Sequence, residues 1–367
     1  MGQILGRIAL ACGTALAVLI PFNAWPQPSD KPIGILLAAG DIAKCRQGSP
    51  KGRPAGGYRQ RETANLLGRE ISDAERQGIP IRVLALGDLA YERGAVSEFE
   101  DCFHESWGQH VKSILPVPGN HEYGSTDAAP YFAYFEKHGR TIVLQNSPKE
   151  GANAGYYSLN FPGDDGIAPR SGIRPWRLIA LNSKKGKPPP EQMGWLKKEL
   201  NTNDHRCVLA FAHFFAFSSG RHGHEPPDFQ RADEANSQKD LQADPNMVDI
   251  FQALYASGAS LLLSGHDHSY EQFRRQDAMG NLDSNGLRSF VVGTGGAPFY
   301  REVYKNTWLN SEKEKRQARW HGILKLELFE TRYRWRFVPI DMVANQVPAN
   351  LKAPSEEDCN VRKGPIQ

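Results

Sequence analysis

A series of short, continuous apolar runs limits the possible folds of this chain more than any other feature. Runs of this kind suit β-strands that are buried on both faces. Between them lie segments with apolar residues at helical spacing, over 62–77, 191–200 and 247–256. Strands that alternate with helices predict an α/β layered fold. The predicted strands are Ile33–Ala39, Ile81–Leu86, Ile114–Val117, Leu178–Leu181, Val208–Ala212, Leu261–Leu263 and Phe290–Val292.

The segment 324–337 has a different pattern, because its apolar residues alternate with polar ones on both sides of Glu330 and Thr331. Such alternation predicts a C-terminal antiparallel β-hairpin with one face toward solvent. Two long polar stretches, 45–57 and 218–246, are predicted to be surface loops.

The first 24 residues have the layout of a secretory signal peptide. Arg7 precedes an apolar run from Ile8 to Ile20, and a polar segment with small residues follows. The run is shorter than the roughly 20 apolar residues of a membrane span, although an uncleaved anchor or a buried helix is the alternative. We therefore expect residues 1–24 to be removed and the mature protein to be exported, to the periplasm or outside the cell, with no membrane span.

The chain has five cysteines, and removal of residues 1–24 would take away Cys12. An even number of remaining cysteines in an exported chain predicts two disulfides. Of the three possible pairings we favour Cys45–Cys102 and Cys207–Cys359, and four free, partly buried thiols are the alternative.

Charge and composition exclude several classes of protein. The 44 basic and 41 acidic residues give a formal net charge of +3, which is too even to predict a nucleic-acid partner. With 40% hydrophobic and 23% charged residues, the chain has the composition of a folded protein and not of a disordered one.

Side chains that can bind metals follow five of the predicted strands. The carboxyl ends of strands in an α/β sheet are where ligands bind. Carboxylates and imidazoles suit first-row metal ions, and a phenol, with a reference pKa of about 10, ionises near neutral pH only beside a strong cation. These residue types predict a dinuclear metal site. The segments are Gly40-Asp41, Gly87-Asp88-Leu89-Ala90-Tyr91, Gly119-Asn120-His121-Glu122, His213 and Gly265-His266-Asp267-His268.

Each of these motifs alone is weak evidence. A Gly-Asp pair is common in turns, and a pair of histidines after a strand can simply cap a loop. The ordered set is specific, because every member lies at a strand exit. Since its residues run from Asp41 to His268 and must converge, we expect residues 25–367 to form a single catalytic domain that includes the C-terminal hairpin.

The ordered set resembles the calcineurin-like metallophosphoesterases, and Tyr91 narrows the resemblance to the purple acid phosphatase branch. Segments 101–108, 131–135, 217–223 and 291–296 are similar to a bacterial exported subgroup. The resemblance covers residues 33–340 and is to the small, single-domain, tartrate-resistant type. It implies a four-layer α/β/β/α sandwich with the metal site at the carboxyl ends of the strands.

The resemblance also implies two metal ions, Fe(III) and a divalent ion that is Fe, Zn or Mn, with Asp88 bridging them. It assigns Fe(III) to Asp41, Asp88, Tyr91 and His268, and the divalent ion to Asp88, Asn120, His213 and His266. His213 is followed by Phe214-Phe215, where the family often has Pro, so the shape of this loop stays open.

Residues outside the ligand set receive roles from the same resemblance. His121 would bind phosphate and protonate the leaving group. His222 matches a second outer histidine, for which His224 is a competitor, and Glu122 would orient its neighbours.

The function that the resemblance implies is hydrolysis of small phosphomonoesters by attack of a metal-bound hydroxide. A phosphodiesterase that acts on nucleotides or phospholipids is the alternative, because the same site serves both reactions. An alternative from another class is a metal-bearing binding protein without activity. The oligomeric state stays open.

Overall fold

A computed structural model describes residues 31–360, apart from 49, 147–153, 165, 167–170, 185–188, 203–206, 224–244, 301–309 and 313–314. The expected signal peptide at 1–24 and the histidine His224 lie outside the described residues. The removal of residues 1–24 and the domain boundary at residue 25 therefore stay predictions.

The described chain forms two six-stranded sheets. All seven predicted strands begin and end within two residues of the predicted bounds, so the prediction of buried strands is confirmed. The strands are β1 (Gly34–Ala39), β2 (Ile81–Leu86), β3 (Ile114–Val117), β4 (Tyr157–Phe161), β5 (Trp176–Ala180), β6 (Val208–Phe211), β7 (Leu261–Ser264), β8 (Tyr270–Gln272), β9 (Arg288–Val292), β10 (Gly322–Leu328), β11 (Arg332–Pro339) and β12 (Ser355–Asp358).

Each sheet has a parallel centre. In the first sheet the order is β12-β11-β10-β1-β2-β3, and β1, β2 and β3 are parallel. In the second sheet the order is β4-β5-β6-β7-β9-β8, and β5, β6, β7 and β9 are parallel. The carboxyl ends of parallel strands meet at one edge of each sheet, so the motifs that follow these strands come together there.

Helices cover the sheets and complete the layers. The helix α1 contacts β2 and β10 of the first sheet, whereas α4 and α5 pack on the second sheet. The helices are α1 (Gln60–Arg76), α2 (Val96–Glu98), α3 (Ala129–Lys137), α4 (Gln192–Leu200), α5 (Pro245–Ser257) and α6 (Ala349–Lys352), with a π-helical turn at Phe99–Phe103 and 3₁₀ turns at Trp107–Ser113, Glu122–Gly124, Thr126–Ala128, Thr141–Leu144 and Asp341–Val343.

Successive residues of the second sheet enter two different apolar cores. Leu178 and Leu209 pack in one core with Leu36 of the first sheet. Ile179, the next residue along β5, packs on the other face with Leu254 of α5. Both faces of the strands are therefore buried, which is why their sequences are continuously apolar. The mixed α/β fold with two sheets and covering helices is the predicted one.

The predicted hairpin is β10 and β11, which pair in antiparallel register. On β11, Tyr333, Trp335 and Phe337 are buried while Arg336 is exposed, as the alternation predicts. The sequence did not reveal that β12 extends this sheet, because its residues Ser355–Asp358 are all polar. Ion pairs of Arg332 and Arg334 with Glu356 help to hold this strand.

Two disulfides join Cys45 to Cys102 and Cys207 to Cys359, with Cα–Cα distances of 5.5 and 5.8 Å. The favoured pairing is confirmed. Two disulfides favour a non-cytoplasmic location. Among the described residues, no helix combines the length and the apolar character that crossing a bilayer requires.

We predict that replacing Cys207 and Cys359 together by Ser lowers the free energy of unfolding by about 2–5 kcal/mol, because this bridge closes a long loop in the unfolded chain. The two cysteines are 152 residues apart, against 57 for Cys45 and Cys102. Urea denaturation of this double variant, and of the corresponding Cys45/Cys102 double variant for comparison, measures the effect. An unchanged unfolding midpoint for the Cys207/Cys359 variant would contradict the prediction.

Candidate metal centre

The predicted ligands lie in tight turns that directly follow the strands. Asp41, Asp88 and His266 have positive φ angles of 61°, 50° and 69°, which non-glycine residues seldom adopt and which cluster at functional sites. The turns are also joined by hydrogen bonds, since the Asp41 N–H donates to the Gly87 carbonyl oxygen at 3.0 Å. The backbone thus turns sharply at each strand exit and directs these side chains toward a common point.

One group of predicted ligands surrounds the Tyr91 hydroxyl. This oxygen lies 3.0 Å from Asp41 Oδ1, 3.3 Å from Asp88 Oδ2 and 3.1 Å from His268 Nε2. His268 Nε2 is in turn 3.5 Å from Asp41 Oδ1. All four side chains are buried.

A second group lies on the other side of Asp88. His213 Nε2 is 3.0 Å from Asn120 Oδ1 and 3.4 Å from Asp88 Oδ1. Asp88, His213 and His266 each offer a ligand atom within 4.8 Å of the others. Asp88 therefore directs Oδ1 toward the second group and Oδ2 toward the first.

The chemistry of these donors fits metal ions. In the first group two carboxylates face a phenol, and burial together with the charges of Asp41 and Asp88 holds the pKa of Tyr91 well above its usual value. Buried anionic donors of this kind need a cation. The residues that could hold a metal ion are Asp41, Asp88, Tyr91 and His268 on one side, and Asp88, Asn120, His213 and His266 on the other.

Histidines of both groups are oriented by backbone carbonyls. His213 Nδ1 lies 2.9 Å from the Leu86 carbonyl oxygen, and His268 Nδ1 lies 2.8 Å from that of Pro298. When Nδ1–H donates to a carbonyl, the unprotonated Nε2 has a lone pair with which it can bind a cation. The same hydrogen bond fixes the plane of the ring.

Glu122 fixes the two loops that carry Asp88 and Asn120. Its Oε2 accepts from the Asp88 and Gly119 N–H groups at 2.9 and 2.7 Å, and its Oε1 accepts from Leu89 and Ala90 at 2.8 and 3.2 Å. Burial, reinforced by the charge of Asp88, raises the pKa of Glu122 to about 7. Glu122 therefore has the contacts expected of a residue that orients its neighbours.

The predicted outer histidines both lie beside the two groups. His121 Nε2 is 3.8 Å from Asp88 Oδ2, and His121 Nδ1 is 2.6 Å from the Glu92 carbonyl oxygen. The ring of His222 lies 4.6 Å from that of His266. Burial, followed by the charge of Arg221, lowers the pKa of His222 to about 4.

Sequence reasoning gave no role to three residues near the centre. Tyr300 stacks on His268, with ring centroids 4.3 Å apart, and no motif marks it because it lies in a loop. Asp267 is buried and accepts from the His222 N–H at 3.0 Å; its place between two predicted ligands was the available signal. Phe214, the residue after His213, packs on His266 with ring centroids 4.2 Å apart.

The fold and the site together define a class of protein, namely α/β sandwiches with a candidate two-cation centre at the carboxyl ends of strands from both sheets. The model of the calcineurin-like phosphoesterase family matches residues 36–270, and the chain belongs to this family. The family is one of metal-dependent phosphoesterases with dinuclear metal centres.

Solved structures share the fold at low sequence identity. The purple acid phosphatase PPD1 of yellow lupin (Lupinus luteus) is 15% identical with a TM-score of 0.61, and the match covers 91% of this chain and 55% of the lupin protein. GAP50, the anchor in the inner membrane complex of Plasmodium, is 14% identical with a TM-score of 0.52 and coverages of 91% and 90%. PhoD is 11% identical with a TM-score of 0.54 and coverages of 93% and 74%.

This chain spans about half the length of the lupin enzyme. The comparison with curated proteins gives no match. At these identities the structural matches establish the fold alone, and the substrate has to be argued from the site.

We predict that Glu122→Gln lowers the free energy of unfolding by about 1–3 kcal/mol and reduces the metal content per chain. The amide nitrogen of Gln would face two backbone N–H donors that now have an oxygen acceptor. Thermal unfolding and elemental analysis measure the two effects. Glu136→Gln, at an exposed position on α3, is the matched control and should change neither; equal behaviour of the two variants would refute the role given to Glu122.

Proposed function

We propose that the protein is a dinuclear-metal hydrolase that cleaves small phosphomonoesters in the manner of the purple acid phosphatases. The observation that carries the proposal is the Tyr91 hydroxyl, which lies within 3.3 Å of both Asp41 and Asp88 and 3.1 Å from His268. A phenolate beside two carboxylates is a hard, strongly anionic donor set that suits a trivalent cation.

In this proposal Asp41, Asp88, Tyr91 and His268 would hold Fe(III), and Asp88, Asn120, His213 and His266 would hold a divalent ion (Fe, Zn or Mn). When bound, the two metal ions supply the positive charge that offsets the charge developing on the phosphoryl oxygens and that acidifies a water nucleophile.

The residue that we assign to proton transfer is His121. Its Nδ1 is hydrogen-bonded to the Glu92 carbonyl oxygen, and its Nε2 lies 3.8 Å from Asp88 Oδ2. Nε2 is therefore the atom that faces the centre. The side chain retains 30% of its exposure, which leaves room for a leaving group beside it. His121 would donate a proton from Nε2 to the leaving oxygen as the ester bond breaks.

His222 is assigned to the substrate phosphate. Its N–H is anchored on buried Asp267, and its Nε2 lies 3.2 Å from the Tyr300 hydroxyl. These two contacts hold the imidazole beside His266, from where it would contact a phosphoryl oxygen.

The fold alone does not decide between catalysis and binding. GAP50 has the same fold and is described as an anchor. Here the donor groups for two cations and a partly exposed histidine adjoin one another, which supports catalysis over a binding role. Turnover of para-nitrophenyl phosphate against bis(para-nitrophenyl) phosphate by the metal-loaded protein tests the monoester assignment; faster turnover of the diester would favour a phosphodiesterase.

We place the protein in the periplasm or outside the cell, after loss of residues 1–24. The two disulfides support this location, because reducing compartments rarely keep such bridges. Recovery of the native protein in the cytosolic fraction, with residues 1–24 attached, would contradict it.

We predict that the iron-loaded protein is violet, from charge transfer between Tyr91 and Fe(III), and that Tyr91→Phe abolishes this band. Visible absorption and metal analysis measure the result. Tyr58→Phe is the matched control. The rings of Tyr58 and Tyr91 have centroids 5.9 Å apart, and Tyr58 is not an assigned ligand. A band that persists in Tyr91→Phe would overturn the Fe(III) assignment.

We predict that His121→Asn lowers kcat for an alkyl phosphate by about 10²- to 10⁴-fold, with the metal content unchanged. The loss should be much smaller with para-nitrophenyl phosphate, whose leaving group departs without a proton. Steady-state kinetics on both substrates measure the difference. Equal losses on the two substrates would assign His121 to phosphate binding instead of proton donation.

A further inference from the structure

The cations around the candidate centre differ in how they are paired. Lys44 forms an ion pair with Glu92, Lys184 lies 3.7 Å from Asp127, and Arg59 lies 3.3 Å from Glu62. Arg221 is exposed and has no carboxylate within ion-pair distance in the part of the chain that the structure describes. Among the described residues, Arg221 therefore differs from these three cations.

Arg221 lies one aromatic ring away from the first group of ligands. Its guanidinium carbon is 5.1 Å from the centroid of the Tyr300 ring, and that ring stacks on His268 at 4.3 Å with an interplanar angle of 13°. The Tyr300 hydroxyl also contacts His222 Nε2 at 3.2 Å. Packing on the ring limits the positions of the guanidinium group and keeps it at the edge of the centre.

The backbone that carries Arg221 is fixed to the ligand-bearing loop after β7. Asp267 accepts from the His222 N–H, and the Ser218 hydroxyl donates to the same carboxylate. A Cβ atom at Gly220 would lie 2.4 Å from Asp267 Oδ2, so only glycine allows this approach. The position of Arg221 is thus set by the loop that carries His266 and His268.

We propose that Arg221 binds a second anionic group of the substrate, next to the scissile phosphate, and that the preferred substrates are compounds with two adjacent anionic groups, such as diphosphates. This inference rests on the proposed phosphoesterase function. A guanidinium group binds phosphate oxygens in pairs and with fixed geometry. In a diphosphate such as ADP, the oxygen of water forms a new bond to the terminal phosphorus and its proton passes to solvent. The P–O bond of the anhydride breaks, and AMP leaves with the electron pair while its phosphate is held by Arg221.

The test compares ADP with AMP, since the two share a nucleoside and only ADP has a second anion in the leaving group. We expect Arg221→Gln to lower kcat/KM for ADP about tenfold, mainly through KM, and to change that for AMP less than about twofold. Arg221→Lys should recover part of the loss, because it keeps the charge without the planar geometry. Arg336→Gln, which removes an exposed positive charge on β11, is the matched control.

Three other outcomes would contradict the proposal, and they differ in what they say about the phosphoesterase function. If kcat/KM falls equally for both substrates, Arg221 contacts the scissile phosphate and the proposal is wrong. If it falls for neither, while the wild type hydrolyses AMP, the proposal is wrong and the phosphoesterase function stands. If the metal-loaded wild type hydrolyses neither ADP, AMP nor para-nitrophenyl phosphate, the proposed function fails and this inference fails with it.

Discussion

The buried carboxylate of Asp88 is the group on which the rest of the site depends. One oxygen faces Tyr91 and the other faces His213, so a single side chain joins the two groups of donors. Burial alone would raise the pKa of Asp88, and the charge of His213 and hydrogen bonding outweigh it, so the carboxylate stays ionised. Its backbone is held in a left-handed conformation by Glu122. Because Asp88 cannot move without disturbing both groups, the spacing of the two groups of donors is set by the fold.

The layered architecture brings these donors together. Asp41, Asp88 and Asn120 follow strands of the first sheet, whereas His213 and His266 follow strands of the second. The apolar core between the sheets aligns their carboxyl edges. Close approach is needed where the edges meet: a Cβ atom at Gly119 would lie 2.1 Å from Asp88 Oδ1. The glycines of the motifs are therefore required by packing as well as by the turns they form.

Much of this could be predicted from the sequence, because buried parallel strands and the residues that follow them carry local signals. Strand direction places the seven predicted ligands at the carboxyl edges of the two sheets, and the core between the sheets brings those edges together. Tyr300 could not be predicted, since its place beside His268 depends on how a loop returns over the sheet edge. The strand β12 was also missed, because ion pairs and a disulfide hold it and no apolar pattern marks it. Residues whose positions depend on tertiary contacts leave little trace in a single sequence.

The two groups of donors differ in charge, and this difference bears on the proposed metals. The group around Tyr91 contains two carboxylates and a phenol with one imidazole, whereas the group around His213 contains one shared carboxylate, an amide and two imidazoles. An ion with a higher charge gains more from the anionic set, because the Coulomb energy scales with the product of the charges in a buried environment. The asymmetry therefore supports a trivalent ion beside Tyr91 and a divalent ion beside His213. His121 Nε2 lies 3.8 Å from Asp88 Oδ2, the oxygen that faces the more anionic group around Tyr91.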